Sequence, residues 1–415
     1  MTIAADPYSV PLESIDMSNP DLYQQDRALA YFGRLRNEAP VHFCQGGDYG
    51  PFWSVTRYKD IMAVDANHRV FSSAQENGGH ILGAEMFFAG DDDFQLPMFI
   101  AMDPPRHDTT RKAVSPAVAT QNLRNMEGRI RASCESILDS LPVGETFNWV
   151  DLFSIELTTQ TLATLFDFPF EDRRKLVRWS DISVSVPGSG IIDSWDQRRR
   201  ELEEMGDYFG RLWQERRDNA GGFDLVSMMA TSPDTREMSA QEYMGNVLLL
   251  IVGGNDTTRN TLTGSVLALN QFPDEYRKLR ENPALVTSFV PEAIRWQTPL
   301  AHMRRTAMQD VELGGQTIRA GDRVVMWYLS GNRDEAAIER PNEFVIDRAN
   351  PRNHLSFGFG IHRCVGNRLA ELQLRIAWEE ILKRFRLVEL VGEPVRVRSN
   401  VIMGYSDLPV RLHRH

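Results

Sequence analysis

Residues 354–369 read HLSFGFGIHRCVGNRL, and this segment is the most informative one in the chain. Gly358 and Gly360 alternate with phenylalanine and isoleucine, Cys364 follows two residues after His362, and the pattern then turns helical. A single cysteine is usually a small buried apolar residue. Only Cys364 has a sequence context that speaks against this interpretation.

The composition is that of an ordinary globular protein, with 42% apolar and 25% charged residues among 415. This length by itself favours two or three domains. The net charge of −11 argues against general binding to nucleic acid or anionic membranes. The N-terminus lacks the features of a signal peptide, and the apolar stretch Tyr243–Asn255 is too short to cross a bilayer. We therefore expect a soluble, cytoplasmic protein without a membrane span.

The three cysteines include no CxxC pair, which argues against a zinc site or a redox dithiol. Amphipathic helical patterns predominate, for example around 126–141 and 193–219. Alternating segments near 50–58 and 311–329 predict strands joined by glycine turns. The predicted fold class is mainly α with small β-sheets.

A long helix is predicted from Tyr243 to Asn270, because residues 247–252 are apolar on every side. Its middle reads GGNDTT, residues 253–258. Two glycines inside a helix cost about 1 kcal/mol each relative to alanine, which a flat, bulky neighbour would explain. A threonine hydroxyl bonded to the carbonyl four residues earlier would bend such a helix. A kinked core helix explains the same residues, and the pattern alone leaves both interpretations open.

Two further segments carry paired polar residues. In VPEAIRW, Glu292 and Arg295 share one helix face and can form an ion pair. In MDPPRHDTTRKAV, Asp103 is expected to cap a helix on which His107 and Arg111 are four residues apart. Each pair taken alone is equally typical of a solvated helix surface.

Taken together and in this order, FGxGxHxCxG, the GGxDTT helix, ExxR and HxxxR resemble the cytochromes P-450 of the soluble bacterial type, which are haem-thiolate monooxygenases. The resemblance covers nearly the whole chain, including NRD at 332–334 and RTAMQDVELGG at 305–315. It implies a single domain over 1–415, a triangular prism of helices around a buried haem. The β-rich parts would lie at 40–60 and 300–330, with C-terminal strands at 385–413.

The resemblance implies haem b as cofactor, with Cys364 as the axial thiolate ligand of the iron. A helix over Val365–Arg384 would stabilise the sulfur anion through its N-terminal end. Phe357 would shield the sulfur, and His107, Arg111, Arg305 and His362 would hold the propionates. Glu292 and Arg295 would form a structural pair that supports the cysteine segment. The full set of implied cofactor-binding residues is Ile100, His107, Arg111, Gly253, Arg305, Ser356, Phe357, Gly358, His362, Cys364 and Gly366.

The implied catalytic residues are Thr257, which would steady bound oxygen, and Asp256, which would relay protons. Electrons would come from a ferredoxin and its reductase, because the chain contains no flavin or iron–sulfur segment. Residues 348–368 contain four arginines and no acidic residue. This cluster is either ordinary solvated surface or, as we favour, a docking patch for an acidic ferredoxin. The four are Arg348, Arg352, Arg363 and Arg368.

LLIVGGNDTTRNTLTG and the cysteine segment resemble the bacterial subfamily that hydroxylates alkanes and fatty acids at the terminal (ω) carbon. Asn255 is the departure from the broader pattern. A terpene or steroid hydroxylase and a non-catalytic haem-thiolate sensor remain alternatives, and a lid is expected around 186–192. Uncharged side chains would surround the substrate, with each of them equally well explained as plain core. These are Ile81, Leu82, Phe99, Leu249, Val252, Gly253, Leu300, Ala301, Met303, Val401 and Ile402.

Overall fold

The computed structural model describes residues 6–83, 96–185, 187, 191–218, 221–222 and 224–415. Helices dominate and small sheets accompany them, which confirms the predicted fold class. The predicted helices around 126–141 and 193–219 are present as α5 and α8. The helices are α1 Asp21–Gln24, α2 Ala28–Glu38, α3 Tyr58–Ala66, α4 Arg106–Val114, α5 Thr120–Ser140, α6 Glu156–Phe166, α7 Arg174–Ser183, α8 Trp195–Asp218, α9 Leu225–Thr231, α10 Ala240–Gln271, α11 Pro273–Glu281, α12 Val286–Gln297, α13 Tyr328–Gly331 and α14 Asn367–Arg384.

The strands form one five-stranded sheet and three smaller ones. The large sheet has the order β1-β2-β8-β5-β3, and its pairs are antiparallel except β2 with β8. A second sheet has the order β4-β12-β9, and β6-β7 and β10-β11 are two-stranded. The strands are β1 Val41–Cys44, β2 Phe52–Val55, β3 Phe71–Ser72, β4 Thr146–Asn148, β5 Met303–Ala307, β6 Val311–Leu313, β7 Gln316–Ile318, β8 Arg323–Met326, β9 Phe385–Leu390, β10 Val395–Arg396, β11 Tyr405–Asp407 and β12 Pro409–Arg414.

The helix α10 organises the helical part of the molecule. It has 32 residues and is about 48 Å long at 1.5 Å per residue. A capping box between Ser239 and Glu242 fixes its first turn. It packs against α6, α7, α8, α12 and α14, which explains why its middle is apolar on every side. Within the described residues, no helix is long and apolar enough to cross a membrane.

The main core surrounds α10 and includes the buried indoles of Trp149, Trp179 and Trp378. A second cluster lies between α2 and the large sheet around Trp327, and a third lies on the other side of that sheet. The two sides of the sheet are therefore both covered. This arrangement fixes the ends of β5 and β8, which lie close to the site described below.

Two predicted helix starts were wrong. The carboxylate of Asp103 does not cap α4, which begins at Arg106 after Pro105, but accepts hydrogen bonds from Ser72 and Ser73. The helix after Cys364 begins at Asn367 rather than Val365, because Val365 and Gly366 belong to the turn before it. Of the predicted lid at 186–192, only residues 187, 191 and 192 lie within the described part of the chain.

Candidate active site

Cys364 ends a tight loop that leads into α14. Its backbone N–H donates to the carbonyl oxygen of Phe357 at 2.8 Å, and this bond closes the loop. The residue is accessible, and its burial among protein groups raises the pKa of the thiol. The backbone N–H of Gly366 and the positive charges of Arg111 and Arg363 act in the opposite direction on that pKa. These groups favour the thiolate, which is the form that binds metals.

The two glycines of this loop are required by a close approach to α3. Gly358 and Gly360 have φ angles of +65° and +69°, a region that residues other than glycine rarely adopt. A Cβ at Gly360 would lie 2.3 Å from the carbonyl oxygen of Asp65. The loop therefore lies directly against the C-terminal end of α3.

Asp65 holds this contact from the other side, and nothing in the sequence singled it out. Its carboxylate is buried and accepts hydrogen bonds from the N–H of Phe359 and the hydroxyl of Tyr328, each at 2.8 Å. It also pairs with Arg305 at 2.6 Å. Arg305 is predicted to bind a propionate, and one nitrogen of its guanidinium group is bonded to Asp65. We count Asp65 as a positioning residue for both the cysteine loop and Arg305.

His107 and His362 come together, as the prediction that both bind one ligand requires. Their ring centroids are 4.4 Å apart, and His362 Nε2 is bonded to the hydroxyl of Ser73 at 2.9 Å. Burial lowers the pKa of both imidazoles. The charge of Arg305 also lowers the pKa of His362, which is about 2. Nδ1 of His107 donates to Oδ1 of Asp108 at 2.8 Å, so a further proton at Nε2 would make this ring cationic.

Each of these rings keeps one buried nitrogen without a partner among the described residues, Nε2 of His107 and Nδ1 of His362. An unpaired buried polar atom is costly unless a ligand satisfies it. Arg111 lies beside them and bonds the carbonyl oxygen of Arg363, next to Cys364. Unpaired ring nitrogens, guanidinium groups and an accessible sulfur fit one ligand that carries both carboxylates and a thiophilic metal.

Of the two adjacent glycines in the middle of α10, Gly253 borders open space and Gly254 does not. A Cβ at Gly253 would meet no atom of the described residues within 4 Å, whereas one at Gly254 would lie 2.6 Å from a Leu162 methyl group. The hydroxyl of Thr257 donates to the Gly253 carbonyl oxygen at 2.8 Å, the bond to the carbonyl four residues earlier that the sequence predicted. Gly253 and Thr257 thus share the open side of the helix, and Gly254 packs α10 against α6.

Asp256 lies on a different side of the helix and is buried. It pairs with Arg259 at 2.5 Å and accepts a hydrogen bond from Ser180 of α7 at 3.2 Å. Arg259 also reaches Asp181, 3.4 Å away and partly exposed, and burial raises the pKa of Asp181. A chain of charged groups therefore leads from Asp256 toward the surface of α7.

Asn255, the departure noted in the sequence, faces α6. Its Oδ1 accepts a hydrogen bond from Thr158 at 2.9 Å, and its Nδ2 has no partner among the described residues. The side chain is completely buried. Asn255 therefore contacts α6 rather than the open side at Gly253.

Glu292 and Arg295 form a buried ion pair of two hydrogen bonds, at 2.7 and 2.8 Å. Arg295 also donates to the carbonyl oxygens of Asn332, Pro341 and Glu343. The Asn332 side chain in turn bonds both Leu355 N–H and Ser356 Oγ. The pair thus contacts the segment before the cysteine loop, and Asn332 connects that segment to the loop.

Comparison with known proteins agrees with this geometry. The family model described as cytochrome P-450 matches residues 193–403. Linalool 8-monooxygenase of Pseudomonas putida is 38% identical over 406 residues, which cover 97% of this chain and 99% of that protein. The chain belongs to the cytochrome P-450 family. Family and fold make haem b the cofactor, as predicted, and the cradle of unpaired imidazole nitrogens, guanidinium groups and Cys364 fits it.

Other relatives cover the chain to the same extent. Cytochrome P-450-153 from Novosphingobium aromaticivorans has a structure that superimposes with a TM-score of 0.89, is 46% identical and covers 96% of this chain and 99% of its own. Methyl-branched lipid omega-hydroxylase of Mycobacterium tuberculosis is 30% identical over 420 residues, or 97% of this chain and 96% of that protein.

The structure separates the predicted substrate contacts into two groups. Leu82, Phe99 and Ala301 are at most 4% exposed and pack into the core clusters, so we leave them out of the pocket surface. Their sequence neighbours Ile81, Ile100 and Leu300 are partly accessible. The accessible residues are Ile81, Leu249, Val252, Gly253, Leu300, Met303, Val401 and Ile402. Of the implied cofactor contacts, Ile100 lies in a short 3-10 helix before α4 and is partly accessible.

One of the four arginines predicted for the docking patch is not on the surface. The side chain of Arg348 is largely buried, pairs with Glu292 at 2.9 Å and bonds three backbone carbonyl groups, so it cannot contact a partner. Arg352 pairs with Glu371 on the surface. Arg363 and Arg368 are exposed and have no acidic partner among the described residues. Arg352 and Arg368 line a groove between α5, α12 and α14, together with Arg124 and Arg375, which the sequence did not reveal.

Proposed function

We propose that this cytochrome P-450 monooxygenase hydroxylates the terminal methyl group of an alkyl chain, as found in medium-chain alkanes and fatty acids. The reaction consumes O₂, two electrons and two protons and yields the alcohol and water. The electrons would come from NAD(P)H through a ferredoxin reductase and a ferredoxin.

The observation that carries this proposal is the composition of the accessible wall. The accessible members of the predicted pocket are uncharged and almost all apolar, so an alkyl chain would bind by burial of its surface. Similarity to a relative named methyl-branched lipid omega-hydroxylase supports terminal attack. The terminal C–H bond is the strongest in such a chain. The wall must therefore hold the chain end-on and keep the weaker methylene C–H bonds away from the reacting centre.

The chain's own residues divide the remaining work. Cys364 Sγ would ligate the iron, and the bound haem supplies the oxygen-activating chemistry. The Thr257 hydroxyl, on the open side of α10, would hold and relay a proton at its Oγ1, which requires that it release its hydrogen bond to the Gly253 carbonyl oxygen. Asp256 would supply protons to that position. Because Arg259 holds its carboxylate toward α7, this ion pair must loosen for a proton to pass.

The partner surface would be the groove between α5, α12 and α14 with Arg363 beside it. Four arginines line the groove against two glutamates, Glu127 and Glu371, and this positive balance contrasts with the net charge of −11 and suits an acidic ferredoxin. Arg124, Arg363 and Arg368 have no acidic partner among the described residues and are the arginines available to it.

A second candidate substrate is a terpene. Similarity to linalool 8-monooxygenase, at 38% identity over nearly the whole chain, favours it. A terpene is also apolar, and the composition of the wall alone does not separate it from an alkyl chain.

Product analysis tests the proposal. The purified holoenzyme first gives a reduced CO difference spectrum, where the red-shifted Soret band reports the thiolate ligand. It is then supplied with a surrogate ferredoxin system and with octane, dodecanoic acid or linalool in parallel. We expect octan-1-ol and the ω-hydroxy acid as main products. Turnover of linalool alone would favour the second candidate and overturn the first.

A further inference from the structure

His302 lies immediately before β5 and is completely buried, but it takes no part in the chemistry described above. Its Nε2 is 3.2 Å from the backbone nitrogen of Leu82, and its Nδ1 is 3.0 Å from the carbonyl oxygen of Asn400. The ring also packs against Trp327, with centroids 4.7 Å apart. One imidazole therefore connects three segments that are far apart in the sequence.

The two hydrogen bonds fix the tautomer. A backbone N–H can only donate, so Nε2 must carry the lone pair that Leu82 bonds. A backbone carbonyl oxygen can only accept, so Nδ1 must carry the proton that bonds Asn400. The neutral Nδ1–H tautomer is the one form of the ring that makes both bonds.

Backbone bonds continue the connection on either side of His302. Arg304 N–H donates to the His80 carbonyl oxygen at 2.7 Å, and Ala301 N–H donates to that of Val401 at 2.8 Å. Leu300 forms an isolated β-bridge with Ile402. The imidazole of His302 reaches both neighbouring segments from the middle one.

Each of these segments also carries accessible members of the proposed substrate wall. They are Ile81 from the first segment, Leu300 and Met303 from the second, and Val401 and Ile402 from the third. Because Leu82 and Ala301 are packed into the core around Trp327, His302 ties the backbone of all three segments to one rigid cluster. These contacts set the spacing between the three segments that form the substrate wall.

We propose that His302 is a specificity-determining positioning residue, a clamp that sets the width of the substrate pocket. The proposal rests on the proposed function, since the pocket width matters there for holding a chain end-on. Loss of either bond would let one wall move. The weaker methylene C–H bonds next to the chain end would then reach the reacting centre.

Two conservative variants cut one bond each. In His302→Asn the side-chain amide nitrogen takes the place of Nδ1, so the Asn400 bond remains and the Leu82 N–H loses its acceptor. In His302→Gln the side-chain oxygen takes the place of Nε2, so the Leu82 bond remains. His42→Gln is the matched control. His42 is a buried histidine of β1, outside these segments, and its ring is bonded to the carbonyl oxygen of Leu12.

The holoenzymes are compared by their reduced CO difference spectra and by the ratio of terminal to subterminal alcohol from octane. We expect normal spectra for all, a fall of about tenfold in the ratio for both His302 variants, and an unchanged ratio for His42→Gln. Unchanged ratios in both His302 variants would overturn the clamp. If no terminal product forms with the unaltered protein, the proposed function fails instead.

Two measurements that do not depend on turnover test the hydrogen bonds of His302 directly. Hydrogen exchange at the Leu82 amide should quicken in His302→Asn and stay slow in His302→Gln. Nitrogen-15 NMR of the unaltered ferrous CO complex, labelled at histidine, should show His302 protonated at Nδ1 only. A protonated Nε2 there would overturn the clamp even if neither variant folds.

Discussion

The hydroxyl of Thr257 donates to the carbonyl oxygen of Gly253, 2.8 Å away and one turn earlier in α10. Both residues lie on the open side of the helix, where a Cβ added at Gly253 would have no atom of the described residues within 4 Å. The bond gives the hydroxyl a fixed direction, so that its oxygen faces the open side.

Replacement of this hydroxyl should separate electron consumption from product formation. We expect Thr257→Ala to retain haem and substrate binding while product per NADH falls about tenfold and peroxide rises, because the proton donor is missing. The measurement is the ratio of product to peroxide per NADH consumed. Thr261→Ala is the control, since Thr261 makes the same kind of bond one turn later but is buried. Equal coupling in Thr257→Ala and the unaltered enzyme would contradict the role of Thr257.

The Glu292–Arg295 pair should matter for stability rather than for chemistry. We expect Glu292→Gln to lower the free energy of unfolding by about 3–5 kcal/mol, because Arg295 and Arg348 would both lose a buried counterion. Urea unfolding followed by circular dichroism measures this. Glu203→Gln breaks the exposed pair with Arg199 and should cost about 0.5 kcal/mol or less. Similar losses for the two variants would show that Glu292 is not a structural centre.

Charge reversal on the proposed docking surface should slow electron delivery. We expect Arg363→Glu and Arg368→Glu each to lower the rate of reduction by an acidic ferredoxin about tenfold at low salt, with a smaller difference as salt rises. Stopped-flow reduction under CO measures the rate. Arg386→Glu is the control, since Arg386 is exposed on β9 outside the groove. A reduction rate of the unaltered enzyme that does not depend on salt would rule out this docking surface.

Acid should weaken the clamp at His302. Burial lowers the pKa of its imidazole to about 4, against an ordinary value of 6.5. The unfolded chain therefore takes up this proton first, and the stability that the neutral ring contributes is lost as pH falls from 6.5 to about 4. The loss from this group is about 3 kcal/mol. His80 and the guanidinium of Arg304 lie nearby, and the charges of Arg304 and His302 both lower the pKa of His80.

Unfolding curves at several pH values compare the unaltered protein with His302→Asn. The difference in stability between them should shrink as the solution is acidified through this window, because the variant has no proton to take up at that position. A difference that stays constant from pH 7 to pH 4 would contradict a neutral buried His302.

The parts of the site that depend on local spacing could be predicted from the sequence. The Thr257–Gly253 bond follows from a helical separation of four residues, and the Glu292–Arg295 pair from a separation of three. The order of the motifs along the chain was sufficient for the family, and the family for the fold.

The parts that depend on tertiary contacts could not be predicted. Asp65 contacts Phe359, 294 residues later, and no local pattern announces that approach. The sequence groups Arg348 with three other arginines in a predicted surface cluster, but its carboxylate partner lies 56 residues earlier. Leu82 and Ala301 are as apolar as their accessible neighbours, and only the position of Trp327 places them in the core.

The central claim is that the enzyme oxidises the end of an alkyl chain. Dodecanoic acid deuterated only at its terminal methyl group tests it most directly, with turnover by the holoenzyme and analysis of the product mass and hydroxyl position. We predict a ω-hydroxy acid that has lost one deuterium, formed more slowly than from unlabelled acid. Hydroxylated acid that retains all of its deuterium, with the hydroxyl group on an internal carbon, would contradict the account.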